Sequence, residues 1–144
     1  MPKPEPLRLL AEDADDLEII SAALQDAIAK VGDVVWDPRG RQLTIAFNRF
    51  RWEAETGRVG ERVRAGLQLG SVLEVKARKV RRDAKDAVLE LLAVSFEPGE
   101  APGGVIHLAF AGGGDLAVGV ECVDVVLADL SMPWPTQRKP AHEA

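Results

Sequence analysis

Three features of the 144-residue sequence predict an α+β fold, mostly antiparallel β with one helix near the N-terminus. Only one stretch places its apolar residues at helical spacing. Most of the remainder alternates apolar and polar residues between clusters of turn formers. In addition, DAIAKVGDVVWDP (26–38) lies over DAVLELLAVSFEP (86–98) at a constant offset of sixty, and LTIAF (43–47) lies over IHLAF (106–110) at an offset of sixty-three. Each copy is a strand, a turn opened by an acid and a proline, and a returning strand that ends in Ala-Phe. An internal repeat of 26–47 and 86–110 predicts two pseudo-repeated β-hairpins in a barrel-like or two-layer sheet.

The helix begins in AEDADDLEIISAALQDA. Asp13 is its expected N-cap, and Asp15, Asp16 and Glu18 complement the positive helix end. Leu17, Ile20, Ala23, Leu24 and Ala27 fall on one face, and the helix is expected to stop near Gln25 or Asp26. Ile28, Val31, Val34 and Trp36 suit an extended segment with a bend at Gly32. Strands are predicted at about 27–37, 41–52, 62–69, 72–79, 87–97, 104–110 and 115–129, the last long enough to break in two. Between them stand turn sequences such as DPRGR, RRDAKD and AGGGD.

Pairing Trp36 with Leu43 aligns two apolar faces and leaves Arg39-Gly40 as a two-residue turn. On the late hairpin Ile106, Leu108 and Phe110 should face Leu116, Val118 and Val120, with Gly112-Gly113-Gly114 as the loop. In QLTIAFNRFRWE the apolar residues are odd-numbered up to Phe47 and even-numbered at Phe50 and Trp52. A straight strand cannot keep one apolar face through that switch, so a bulge or bend near Asn48 or Arg49 is expected. It would put the aromatics in the core and the arginines outside.

One domain of this length buries roughly 68–70% of its unfolded surface. The expected organisation is a flexible 1–6, a single domain over 7–134 and a flexible tail over 135–144. Cys122 is the only cysteine, so no intrachain disulfide is available, which suits a reducing cytoplasm. It continues the Leu116, Val118, Val120 stripe and reads as a small core residue. The N-terminus lacks the apolar run of a signal peptide. The greasiest run, AVLELLAV, falls far short of the ~20 residues that span a bilayer. A cytoplasmic protein without membrane contact is expected.

Net charge is −5, unevenly spread: −4 over 1–48, +6 over 49–82 and −7 over 83–144. The basic middle either neutralises its own acidic flanks or recruits an anionic partner. Catalytic and cofactor signals are weak. AGGGD carries no phosphate-binding spacing and no helix follows it, so it reads as a hairpin turn. His107 and His142 have no ligand-spaced companions, and none of the four serines sits in a nucleophile elbow. No catalytic residue, metal or cofactor is assigned.

The expected function is a non-enzymatic accessory or regulatory module that binds a protein partner or a second copy of itself. Its candidate binding residues are Arg49, Arg51, Glu53, Lys79, Arg81 and Arg82, whose guanidinium groups suit carboxylates. Nucleic-acid (RNA) binding through 49–82 is one alternative, since strand-borne aromatics beside arginines can stack bases. Carboxylate-based acid–base enzymology is another. In the C-terminal LSMPWPTQRKPAHEA regular structure is not expected. There Trp134 either anchors in an apolar groove or serves as a docking motif.

The segments LRLLAEDADDLEIISAALQDA, KVGDVVW, FNRFRWE and FAGGGDLAVGVECV together resemble an uncharacterised family of small bacterial proteins, domain of unknown function 2948. The resemblance runs from Leu7 to about Trp134. It implies a free-standing bacterial domain and brings no activity, cofactor or site residue with it.

Overall fold

The computed structural model describes residues 6–51, 60–132 and 134–136. A short strand, β1 (Arg8–Ala11), precedes helix α1 (Ala14–Ala23). The Asp13 side chain accepts from the Asp16 backbone N–H, satisfying one orphan donor of the first turn. Leu17, Ile20 and Leu24 are buried as the spacing predicts, and α1 packs on β1 and on β7 (Val88–Pro98). The Ser21 hydroxyl accepts from Val94 N–H at 2.9 Å, fixing the helix to that strand.

The predicted strand at 27–37 is interrupted: β2 (Ile28–Lys30) and β3 (Val34–Asp37) are separated by a 3-10 turn at Val31–Asp33, where Gly32 had marked a bend. Next come β4 (Gln42–Phe50), β5 (Gly60–Leu69), β6 (Val72–Arg78), β7, β8 (Gly104–Phe110), β9 (Asp115–Val120), β10 (Val125–Asp129) and β11 (Trp134–Thr136). The neighbour order is β1-β10-β5-β4-β2-β7-β8-β9-β6, with β11 also on β5 and β3 also on β4. Inward residues from both halves of this path, such as Ile45 and Leu67 from one and Leu108 and Val118 from the other, share a single apolar core. The barrel-like alternative is corrected: β6 ends the path and does not pair with β3, so the sheet stays open along that seam.

The two hairpins pair alike. Trp36 opposes Leu43 as the apolar faces demand, and Phe96 opposes Ile106 at the corresponding place. Between the copies, β2 and β7 pair antiparallel with Ala29 opposite Leu89. Leu91 N–H donates to Ala27 O, and Val31 N–H donates to Ala87 O, both at 2.9 Å. Ala29 and Leu89 are sixty residues apart, and the same offset carries Val31 to Leu91 and Ala27 to Ala87, so each bond is the copy of the other and a local twofold axis passes through this pairing.

Other expectations need correction. Pairing of β4 with β5 runs unbroken from Leu43↔Leu69 to Phe50↔Arg62, so the strand has no bulge at Asn48 or Arg49. The parity switch is met by burying both faces at this end. Arg49 continues the inward row of Leu43, Ile45 and Phe47, while Phe50 is buried on the opposite face, its ring over Gly60. The late loop is Ala111-Gly112-Gly113, closed by Phe110 N–H to Gly114 O at 2.9 Å. Register is therefore Leu108↔Leu116, two residues from the Leu108↔Val118 pairing that a Gly112–Gly114 loop would give. Gly112 and Gly113 adopt φ of +89° and +94°, the left-handed region where a side chain is strained. After Val120 the chain bends, so Cys122 is only half-buried and Val123 takes the core position. Trp134–Thr136, expected to be irregular, adds a short antiparallel strand to Arg62–Gly60.

Candidate functional site

Three arginines of the basic middle, Arg49, Arg64 and Arg78, pair with carboxylates of the acidic flanks, and Arg51 pairs with Glu61 inside the same segment. Arg49 grips Asp129 with two parallel bonds, Nε to Oδ1 at 2.8 Å and Nη2 to Oδ2 at 2.9 Å. Asp129 Oδ2 also accepts from Leu7 N–H at 2.8 Å, tying β4, β10 and the segment before β1 together. Arg51 bonds Glu61 at 2.8 Å, Arg64 bonds Asp33 at 3.1 Å, and Arg78 bonds Asp115 at 2.6 Å. Burial holds the Arg62 guanidinium below its ordinary pKa, with Asp26 and Glu90 pulling the other way.

The expectation that Arg49 and Arg51 face outward is therefore overturned. Arg49 is 0% exposed and Arg51 8% exposed, because β4 keeps its alternation where a bulge was expected. Glu53 and Trp52 lie outside the described residues. Lys79, Arg81 and Arg82 are exposed, as anticipated. The five described candidates do not share one surface: Arg49 and Arg51 are buried, and Lys79, Arg81 and Arg82 are exposed. Arg82 borders a cleft that Leu43 helps to floor, and Arg49 lies six residues further along β4, about 20 Å away at strand rise.

That cleft is the strongest candidate site. It occupies the open seam, with Val34 and Trp36 of β3 on one wall and Val75 and Ala77 of β6 on the other, and has a volume of about 210 Å³. These side chains are half-buried and pack on the edge of the main core. The seam is bounded at both ends by backbone bonds of 2.9 Å. Val72 N–H donates to Arg41 O at one end, and Gly32 N–H donates to Lys85 O at the other. Arg82 and Lys85, in the β6–β7 connection, bring two exposed cations to the rim.

Among the described residues that line the cleft there is no carboxylate. A second, wider hollow runs along Gly99, Gly103 and Gly104, bordered by Glu74, Glu100 and Glu121. Among the described residues no group of three or more His, Cys, Asp and Glu side chains could hold a metal ion. His107 bonds Glu97 at 2.8 Å on the outer face of the β7–β8 pair. Among the described residues no helix is long and apolar enough to cross a membrane.

Sequence reasoning found Arg82 but missed the cleft. Val34 and Trp36 were legible as one face of a strand, and Val75 and Ala77 fall within the strand predicted at 72–79. That β3 and β6 would face each other without pairing is a property of strand order, which local pattern does not carry. Lys85 was hidden within an ordinary turn sequence, RRDAKD.

A family model described as "Protein of unknown function (DUF2948)" matches residues 7–142. No curated protein and no solved structure matches the chain.

Proposed function

The chain belongs to the DUF2948 family of proteins of unknown function, and we propose that it serves as a non-enzymatic accessory module that captures a protein partner in the cleft between β3 and β6. The observation that carries this reading is an apolar cleft set between two strand edges with no strand neighbour among the described residues, rimmed by exposed Arg82 and Lys85. A protein site needs an apolar centre for affinity and a polar rim for orientation, and this seam offers both. The cytoplasm is the compartment we propose for it, and a duplicated hairpin the origin we propose for the scaffold.

Nucleic-acid binding through 49–82 has less support. Arg49, Arg51, Arg64 and Arg78 each hold a carboxylate, which removes much of the charge that would otherwise meet phosphates. Acid–base catalysis has less support too, since the described residues of the cleft lining include no carboxylate.

The test is capture from a nuclease-treated lysate by the wild-type chain and by Ala77→Phe, a substitution that fills the cleft. Circular dichroism and thermal melting establish that the variant is folded. A partner held by wild type and lost by the folded variant supports the reading. Equal capture by both, or material that disappears with nuclease, overturns it.

A further inference from the structure

The chemistry of the captured segment can be read from the cleft, on the premise that this is where the partner binds. We propose that its occupant is an extended peptide segment of a partner protein, which adds as a strand to the open edge of β3, places one large apolar side chain in the cleft and sets an acidic side chain two residues away on Arg82 and Lys85.

Size argues for a side-chain anchor. Pockets that enclose drug-sized ligands or cofactors run from about 300 to 1,000 Å³, whereas this one holds about 210 Å³, room for one large or two small apolar side chains. The strand edges argue for an extended backbone, because a peptide that adds to a sheet satisfies the edge N–H and C=O groups directly. Between the two edges, β3 is the one left open to pairing. β6 carries Glu74, Lys76 and Arg78, and charged side chains are the usual protection of an edge. β3 reads Val-Val-Trp before Asp37, with Val35 58% exposed.

The ladder of the first hairpin tells which backbone groups face outward. Arg51 N–H donates to Glu61 O at 2.8 Å, so by alternation the odd-numbered residues of β4, Leu43 and Ile45 among them, direct their backbone groups toward β5, and the even-numbered ones direct theirs toward β3. The pairs Val35↔Thr44 and Asp37↔Gln42 therefore exchange the β3–β4 bonds, and Val34 and Trp36 direct their backbone groups to the open edge, where Val34 N–H already donates to Val31 O. The four residues of β3 offer about 13 Å of edge, enough for a segment of about four residues. In such a strand, side chains at i and i+2 point to the same side. The apolar anchor must enter the cleft, so the acid that meets its cationic rim stands at i+2 or i−2.

A displayed library of random twelve-residue peptides, selected on the full chain, provides the probes. The expected binders carry a Leu, Ile, Phe or Trp with Asp or Glu two positions away. Their affinity, read by fluorescence anisotropy, should fall about tenfold or more in Arg82→Glu/Lys85→Glu, a loss of at least 1.4 kcal/mol. Ala77→Phe should abolish binding. The charge-reversed variant alters only exposed side chains and so remains a test even if Ala77→Phe fails to fold. Recovery of no binders overturns the inference. So do binders indifferent to the charge reversal, binders without an acid at that spacing, and binders whose backbone is helical. If they are still excluded by Ala77→Phe, the cleft remains the partner site and only the segment chemistry is wrong. Peptides that bind Ala77→Phe as well as wild type overturn both readings. A concentration-dependent dimer that peptides displace, detected by light scattering, would instead make the occupant a second copy of this chain and overturn the choice of partner.

Discussion

At Arg49 two charges are held in an apolar setting, and the bond geometry decides whether that helps the fold. Its side chain is 0% exposed and that of Asp129 is 3% exposed, so neither retains its hydration. Desolvation costs several kcal/mol per ion, offset here by two parallel bonds and by the Leu7 N–H that Asp129 also accepts. Removing one partner strands the other. Arg49→Ala should cost about 3–5 kcal/mol in urea unfolding, and Arg49→Met with Asp129→Leu should cost much less than the sum of the single changes. At Arg82 and Lys85 the expectation is opposite. Both are exposed, so charge reversal there should stay within about 0.5 kcal/mol of wild-type stability in the same assay. The arginine at 49 could not be told from those at 81 and 82 by residue type alone. Its parity along β4 matched Phe47, but the aromatics that followed suggested a bulge which the chain does not form.

Among the elements, α1 is the one whose sequence and structure agree most closely. Its cap, its acidic first turn and its apolar spacing all act within one stretch of chain, so local pattern carries them in full. Asp13→Ala should cost about 0.5–2 kcal/mol through loss of the bond to Asp16 N–H. Leu17→Ala, at a position 1% exposed, should cost about 2–5 kcal/mol. Thermal melts of the two variants separate a terminal effect from a cavity. The register of the first hairpin was equally legible, because two apolar faces permit one pairing, although the strands end at Asp37 and Gln42 and the turn spans residues 38–41 where two residues were expected. The late hairpin was not. Ala-Gly-Gly-Gly-Asp allows more than one loop, and sliding the strands by two residues preserves both apolar faces, so the stripes alone could not choose. β1 and β11 escaped because short edge strands take their order from a neighbour: Leu9 opposes Leu127, and Trp134 opposes Arg62.

At the scale of the whole molecule, strand order creates the candidate site. β2 crosses from β4 to β7 around the Ala29–Leu89 pair, and beyond it the two halves of the sheet part. β3 stays with β4 and β6 with β9, so the seam between them opens over the shared core. Long-range pairing of this kind leaves no mark in hydrophobic period. The charge asymmetry of the sequence was legible as an amount but not as a destination, since its largest single use is internal neutralisation. The central claim is that the open edge of β3 receives an extended partner segment. Site-resolved amide hydrogen exchange on the full chain, with and without a saturating cleft-binding peptide, tests it most directly. The Trp36 amide, which faces that edge, should become strongly protected while those of β10 and β11 do not change. Unchanged exchange at Trp36 with the peptide bound would contradict it.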